Sequence, residues 1–253
     1  MLELAIKGVA EVTGTAMLLF LGCMGCVTGL AQTHLAICLN FGFAVLIIVQ
    51  NFGHLSGAHV NPSVTIAALI MRTITPITGA VYIVCQFLGA FLGFGLLKLL
   101  TPRNMILGIT ESVNASDASP GFCATMPHSQ LSDIQAAGVE FITTGILAFV
   151  CCAVWDHRNA KHHDSVSIRF GLTIAGLALA SGPYSGGSMN TARSLAPALW
   201  NGQWEHHWVY WVGPPLGSLV WTLFYKFVYR TEPEIVENRD EGVPLRDIEH
   251  NKS

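Results

Sequence analysis

Charge is scarce in this sequence of 253 residues. Asp, Glu, Lys and Arg make up 11% of it, against about a quarter in an ordinary soluble domain. That shortage excludes a typical water-soluble fold and points to a membrane protein. The net charge of −3 comes with no basic stripe, which excludes nucleic acid as a partner. No HExxH motif occurs, and no Ser/His or carboxylate pair falls at matching membrane depth, so no catalytic centre is expected. Cys23 and Cys26 form one CxxC, with no second pair to complete a zinc site. All of the seven cysteines except Cys123 lie in apolar segments. They do not read as a disulfide framework, and packing is the expected role of Cys23 and Cys26. Neither a metal nor a cofactor is expected. The first apolar segment, from near Val9, lacks a clear cleavage site and is too long for a signal peptide, so it is expected to remain as a span.

Long apolar runs take the place of charge: 51% of the residues are hydrophobic and the mean hydropathy is +0.49. Six full spans are expected, over about Ile6–Leu30, Leu35–Gly53, Ile77–Leu100, Ile134–Trp155, Ile168–Ser181 and Trp208–Tyr229. Two further apolar runs, Val64–Met71 and Ser194–Trp200, are too short to cross. A half-helix of ten residues rises about 15 Å, half of a hydrocarbon core of about 30 Å. Residues 101–131 are expected as a polar loop, and 232–253 as an acidic, disordered cytoplasmic tail.

Each short run follows a Gly-rich turn and an Asn. Ser56-Gly57-Ala58-His59-Val60-Asn61-Pro62 returns as Ser185-Gly186-Gly187-Ser188-Met189-Asn190-Thr191, with 129 residues between Asn61 and Asn190. The pattern predicts a helix N-terminus capped by Asn, with Pro62 at the first helical position. The repeat extends further: Glu11 and Thr15 return as Glu140 and Thr144, Phe41-Gly42 as Phe170-Gly171, and Tyr82 as Tyr210. With three spans per half, about 1–101 and 131–231, the second half is inverted relative to the first. Inverted repeats with Gly-interrupted half-helices point to a solute path at the midplane. Irregular backbone at that depth is tolerated only beside protein or a water-filled cavity. Lys7, Arg72, Arg158, Lys161, Arg169, Arg230 and the tail residues Arg239, Arg246 and Lys252 outnumber Lys98 and Arg103 on the other side. Both termini are therefore expected in the cytoplasm. The loop 101–131 is expected outside, where Asn114-Ala115-Ser116 fits the glycosylation pattern.

The paired Asn motifs, Glu11 with Glu140, Gln86 and Gly89, and the run His207-Trp208-Val209-Tyr210-Trp211-Val212-Gly213-Pro214 resemble the aquaporins, the major intrinsic protein family, over residues 1–231. The resemblance implies an all-α membrane protein, a right-handed bundle of six transmembrane helices and two half-helices. It further implies one pore per subunit and a homotetramer in the lipid of the plasma membrane. The motifs depart from the family's Asn-Pro-Ala at Ser63 and Thr191. Ser63 is expected to bond a nearby helix-start group. Thr191 is expected to cost on the order of 1 kcal/mol at most.

In the expected pore, Asn61 and Asn190 each present a free amide NH₂ at the midplane. The positive ends of both half-helices repel cations there. Gly57, Ala58, His59, Gly186, Gly187 and Ser188 are expected to line the path with carbonyl acceptors. The family's selectivity filter maps onto Phe41, Ala178, Gly187 and Arg193. Water-selective members carry His where this chain has Ala178, so the filter reads as wider and partly apolar, as in the insect entomoglyceroporins. The expectation is a passive channel for glycerol and urea together with water, closed to ions and protons. A strict water channel and a closed-pore structural or adhesion protein are the alternatives. Glu11 and Glu140 are expected to brace the two loops, and His54 is a candidate for the inner mouth.

Overall fold

The computed structural model describes residues 1–27, 30, 32–107, 121–162 and 164–230. Among these it is all helical: α1 Leu2–Met24, α2 His34–Ser56, α3 Pro62–Met71, α4 Pro76–Leu100, α5 Arg103–Leu107, α6 Asp133–Val154, α7 Val166–Ser185, α8 Thr191–Asn201 and α9 Val209–Val228, with a 3₁₀ turn at His157–Asn159. α1, α2, α4, α6 and α7 are long and apolar enough to cross a bilayer. The 20 residues of α9 rise about 30 Å, which also suffices.

The helix ends follow from local chemistry. Thr33 and Thr75 accept the backbone N–H of Ala36 and Thr78, capping α2 and α4. Ser132 and Gln135 form a reciprocal capping box at the start of α6. α1 begins four residues before the expected span because Glu3 and Lys7 pair one turn apart at 2.6 Å. α5 is a helical turn inside the expected loop.

Three helix pairs build the bundle: α1 with α4, α6 with α9, and α2 with α7. Between lipid-solvated helices the apolar effect does not drive association, so contact depends on small residues that let backbones approach. Gly89 and Gly93 of α4 face the backbone of Val12 and Ala16 in α1, and Gly217 of α9 faces Phe141 in α6. At the centre Gly42 and Gly171 face one another, a Cβ on Gly171 falling 2.9 Å from the Gly42 carbonyl. Around an apolar core the bundle also buries charged and polar groups and turns large apolar side chains outward. Glu11, Gln86, Glu140 and Thr222 are fully buried, while Leu99 and Ile134 are 81% and 78% exposed.

The expectation for the cysteines fails. Cys23, at the end of α1, is disulfide-bonded to Cys123, 100 residues later, with a Cα–Cα distance of 5.5 Å. Packing alone is therefore the wrong account of Cys23. The segment 121–126 folds back onto the bundle, where Phe122 stacks on Phe94 at 5.0 Å and brings its neighbour to the α1 terminus.

Candidate functional site

The two Gly-rich turns have nearly the same backbone. Gly57, Ala58 and Val60 have φ of 84°, 48° and 44°, and Gly186, Gly187 and Met189 have 83°, 60° and 53°. The left-handed region is disfavoured for Met and more so for β-branched Val, so the surroundings must impose it. Two buried carboxylates do so. Glu11 accepts the backbone N–H of His59 at 2.9 Å and of Val60 at 2.8 Å, the Ser56 hydroxyl at 2.7 Å and the Gln86 amide at 2.8 Å. Glu140 accepts the N–H of Ser188 at 2.8 Å and of Met189 at 2.7 Å, and the Ser185 hydroxyl at 2.7 Å. Tyr82 and Tyr210 donate to the carbonyls of Ser56 and Ser185 at 2.8 and 2.7 Å.

Each turn ends in an Asn cap. The Asn61 side-chain oxygen accepts the N–H of Ser63 at 2.8 Å, and that of Asn190 accepts those of Ala192 and Arg193 at 3.0 and 3.2 Å. Each amide nitrogen then crosses to the other turn. Asn61 donates to the Met189 carbonyl and Asn190 to the Val60 carbonyl, both at 2.9 Å. One N–H of each amide is thus committed to this exchange, so a fully free NH₂ is not what the fold provides.

The motif neighbours behave differently from one another. The Ser63 hydroxyl, expected to find a helix-start partner, is buried with none. The Thr191 hydroxyl donates to the Tyr210 carbonyl at 2.9 Å. That carbonyl is free because the residue four positions on is Pro214, which has no N–H to offer it. His34 does the same for α7, its Nε2 lying 3.1 Å from the Leu179 carbonyl that Pro183 leaves unpaired.

A cavity of about 1080 Å³ runs between the turns. Its lining includes both His34 and His54, the two ends of α2, which are about 30 Å apart along the helix. All the expected lining residues border it: Asn61 and Asn190, Gly57, Ala58 and His59, Gly186, Gly187 and Ser188, Phe41, Ala178 and Arg193, and His54. Arg193 is buried, its guanidinium 4.8 Å above the Phe41 ring and donating to the Cys123 carbonyl at 2.7 Å. It has no carboxylate ion pair among the described residues. His59 is buried at the other side of the Asn pair, 5.1 Å from Tyr82 and 5.9 Å from Trp155. Beyond Trp155, the buried Asp156 accepts Arg158 at 2.8 and 2.6 Å, and Arg158 reaches on to the Tyr229 carbonyl at 2.8 Å. Hydrogen bonding to Arg158 holds the Asp156 carboxyl well below the usual carboxylate range.

Sequence reasoning passed over Cys123 and Trp155, both of which line the cavity. The signal for Cys123 was its position as the one cysteine outside an apolar segment. Asn114 and the tail 232–253 lie outside the described residues.

Residues 2–225 match the family model described as major intrinsic protein. The chain is 36% identical to aquaporin-4 from Notomys alexis over 199 residues, 79% of this chain and 57% of that protein, so the match spans little more than half of that relative. It is 32% identical to aquaporin-2 from Homo sapiens over 222 residues, 87% of this chain and 77% of the relative. Among solved structures, the aquaglyceroporin from Plasmodium falciparum superposes with a TM-score of 0.78 at 26% identity, covering 89% of this chain and 96% of that one. With nearly its whole helical bundle matched by the family model, the chain belongs to the major intrinsic protein family and is an integral, multi-pass membrane protein.

Proposed function

We propose that the chain is a passive membrane channel for glycerol and urea together with water, and that it excludes ions and protons. The observation that carries this is the set of residues that line the cavity together with Arg193. Phe41 supplies one aromatic wall and Arg193 a fixed donor, while Ala178 and Gly187 contribute almost no side chain. A polyol has a hydrocarbon edge and a hydroxyl edge, and such a site meets both. A polar group stripped of water without replacement costs about 1–3 kcal/mol. The guanidinium keeps donors beyond the one used by Cys123 to supply that replacement.

Ion exclusion is supported by electrostatics. The N-termini of α3 and α8 face each other through the Asn exchange, each carrying roughly half a positive charge. Arg193 adds a full one. A cation meets this barrier with no carboxylate ion-paired to Arg193 among the described residues, and a chain of waters is interrupted at the Asn pair. We assign both termini to the cytoplasm, the plasma membrane as the site, and a homotetramer as the assembly.

A strict water channel is the second reading, favoured by relatives named aquaporins at 36% and 32% identity. Proteoliposome swelling in glycerol, urea and an impermeant sugar separates the two. Glycerol and urea flux well above that of empty vesicles is the expected result. Water flux with neither solute passing overturns it.

A further inference from the structure

We propose that the Cys23–Cys123 disulfide is a positioning strut for Arg193, and that through Arg193 it sets how well the channel discriminates between glycerol and water. The inference rests on the channel reading given above.

Among the described residues the Arg193 guanidinium has one acceptor, the carbonyl of Cys123 at 2.7 Å. That carbonyl belongs to a residue with φ of 61°, a conformation an L-residue with a Cβ holds only where its surroundings impose it. Besides the stacking of Phe122 on Phe94, the imposed geometry has three supports. The Phe122 carbonyl accepts the Asn201 amide at 3.2 Å. Thr125 donates to Ser194 at 2.8 Å. The third, and the only covalent one among the described residues, is the bond to Cys23 at the end of α1. The first two tie the segment to α8, the element that carries Arg193 itself. The disulfide alone ties it to α1, whose Gly22 lies against the Phe41 ring of α2, and so fixes Arg193 relative to the opposite wall of the cavity, where Phe41 stands 4.8 Å below the guanidinium.

Cys123 borders the cavity and is 7% exposed, whereas Cys23 is fully buried. A dithiol reductant entering from this end therefore meets the Cys123 sulfur. Its thiolate attacks that sulfur and expels the Cys23 thiolate, which takes up a proton. The second thiol of the reductant then closes on the first, releasing Cys123 and leaving the reductant as its cyclic disulfide. Two electrons and two protons pass to the protein. Arg193 stays charged but loses its fixed distance from Phe41. Water in single file tolerates a displaced donor. Glycerol has to present its hydroxyl and hydrocarbon edges to Arg193 and Phe41 at once, so its permeability falls further.

The test uses the full chain in proteoliposomes, oxidised and after dithiothreitol, with cleavage of the bond verified by mass spectrometry. The glycerol-to-water permeability ratio is expected to fall at least threefold on reduction. Cys23→Ser, which leaves the Cys123 carbonyl in place, should match the reduced protein and not respond to the reductant. In Arg193→Ala the ratio should no longer change on reduction. An unchanged ratio after complete cleavage, or an equal shift in Arg193→Ala, overturns the proposal. Hydrogen exchange of residues 121–126 and 187–196 needs no flux. Faster exchange in both segments on reduction is required, and unchanged exchange overturns the strut. If the oxidised protein passes neither water nor solute, the channel reading fails while the exchange arm still decides the strut.

Discussion

The hydroxyl of Thr191 and the carbonyl of Tyr210 lie 2.9 Å apart, and the hydroxyl answers a defect that α9 creates. Pro214 removes the N–H that Tyr210 would accept in α9, and Thr191 stands where the family's motif has a proline that could not donate. Thr191→Pro gains about 0.4–1 kcal/mol from a stiffer unfolded chain but leaves a buried carbonyl unpaired at about 1–3 kcal/mol. Restoring the common motif is therefore expected to destabilise the protein by about 1 kcal/mol, with Thr191→Ser close to neutral. Thermal unfolding in detergent checks both.

Ala178→His is expected to lower glycerol flux at least tenfold and to leave water flux within about twofold. The imidazole fills the cavity where it is now lined by a methyl group. Stopped-flow light scattering on vesicles measures both solutes. Equal losses for water and glycerol would show that Ala178 does not govern selection.

Glu140→Ala removes the acceptor from the buried N–H groups of Ser188 and Met189, each costing about 1–3 kcal/mol when unpaired. Little folded protein is expected on size-exclusion chromatography. Glu140→Gln keeps one carbonyl oxygen for those donors and should fold with reduced stability. The same order is expected at Glu11, where Ala additionally removes one of the two acceptors of the Gln86 amide.

Asp156 gives a pH dependence of definite sign. Its folded pKa is depressed by Arg158, so its contribution is complete above the ordinary carboxylate value of about 3.9 and is lost as pH falls through the folded value. The difference in unfolding temperature between the native chain and Asp156→Asn should be constant from pH 8 to about 5 and should shrink below about 4. A difference that grows on acidification would mean that the pair does not stabilise the 3₁₀ turn.

Much of this was legible in the residues. The spans follow hydropathy, and the half-helices follow Asn caps at matching repeat positions. Glu11 and Glu140 stood out as charges that an apolar span does not tolerate without partners. What stayed hidden depends on chain segments far apart. The Cys23–Cys123 bond joins an apolar helix end to a polar segment 100 residues away, and no spacing rule selects that pair. The Ser63 hydroxyl looked ready to bond but finds no acceptor, because what surrounds a side chain in the bundle centre is set by other helices. The exchange between Asn61 and Met189 likewise needs both turns in place before it can be seen.

The same exchange dictates an order of events during synthesis. The Val60 carbonyl accepts from a side chain 130 residues further on, and Asn61 gives its amide hydrogen to a residue 128 residues further on. While the first three spanning helices are being threaded into the bilayer, the first half-helix sits with its central donor and acceptor uncommitted at a depth where no bulk water can serve them. The centre of the bundle closes only once residue 190 has left the ribosome and its half-helix has entered from the opposite face. A nascent chain stalled between the two halves therefore holds an open seam of unpaired polar groups, and release of the second motif is the step that seals it.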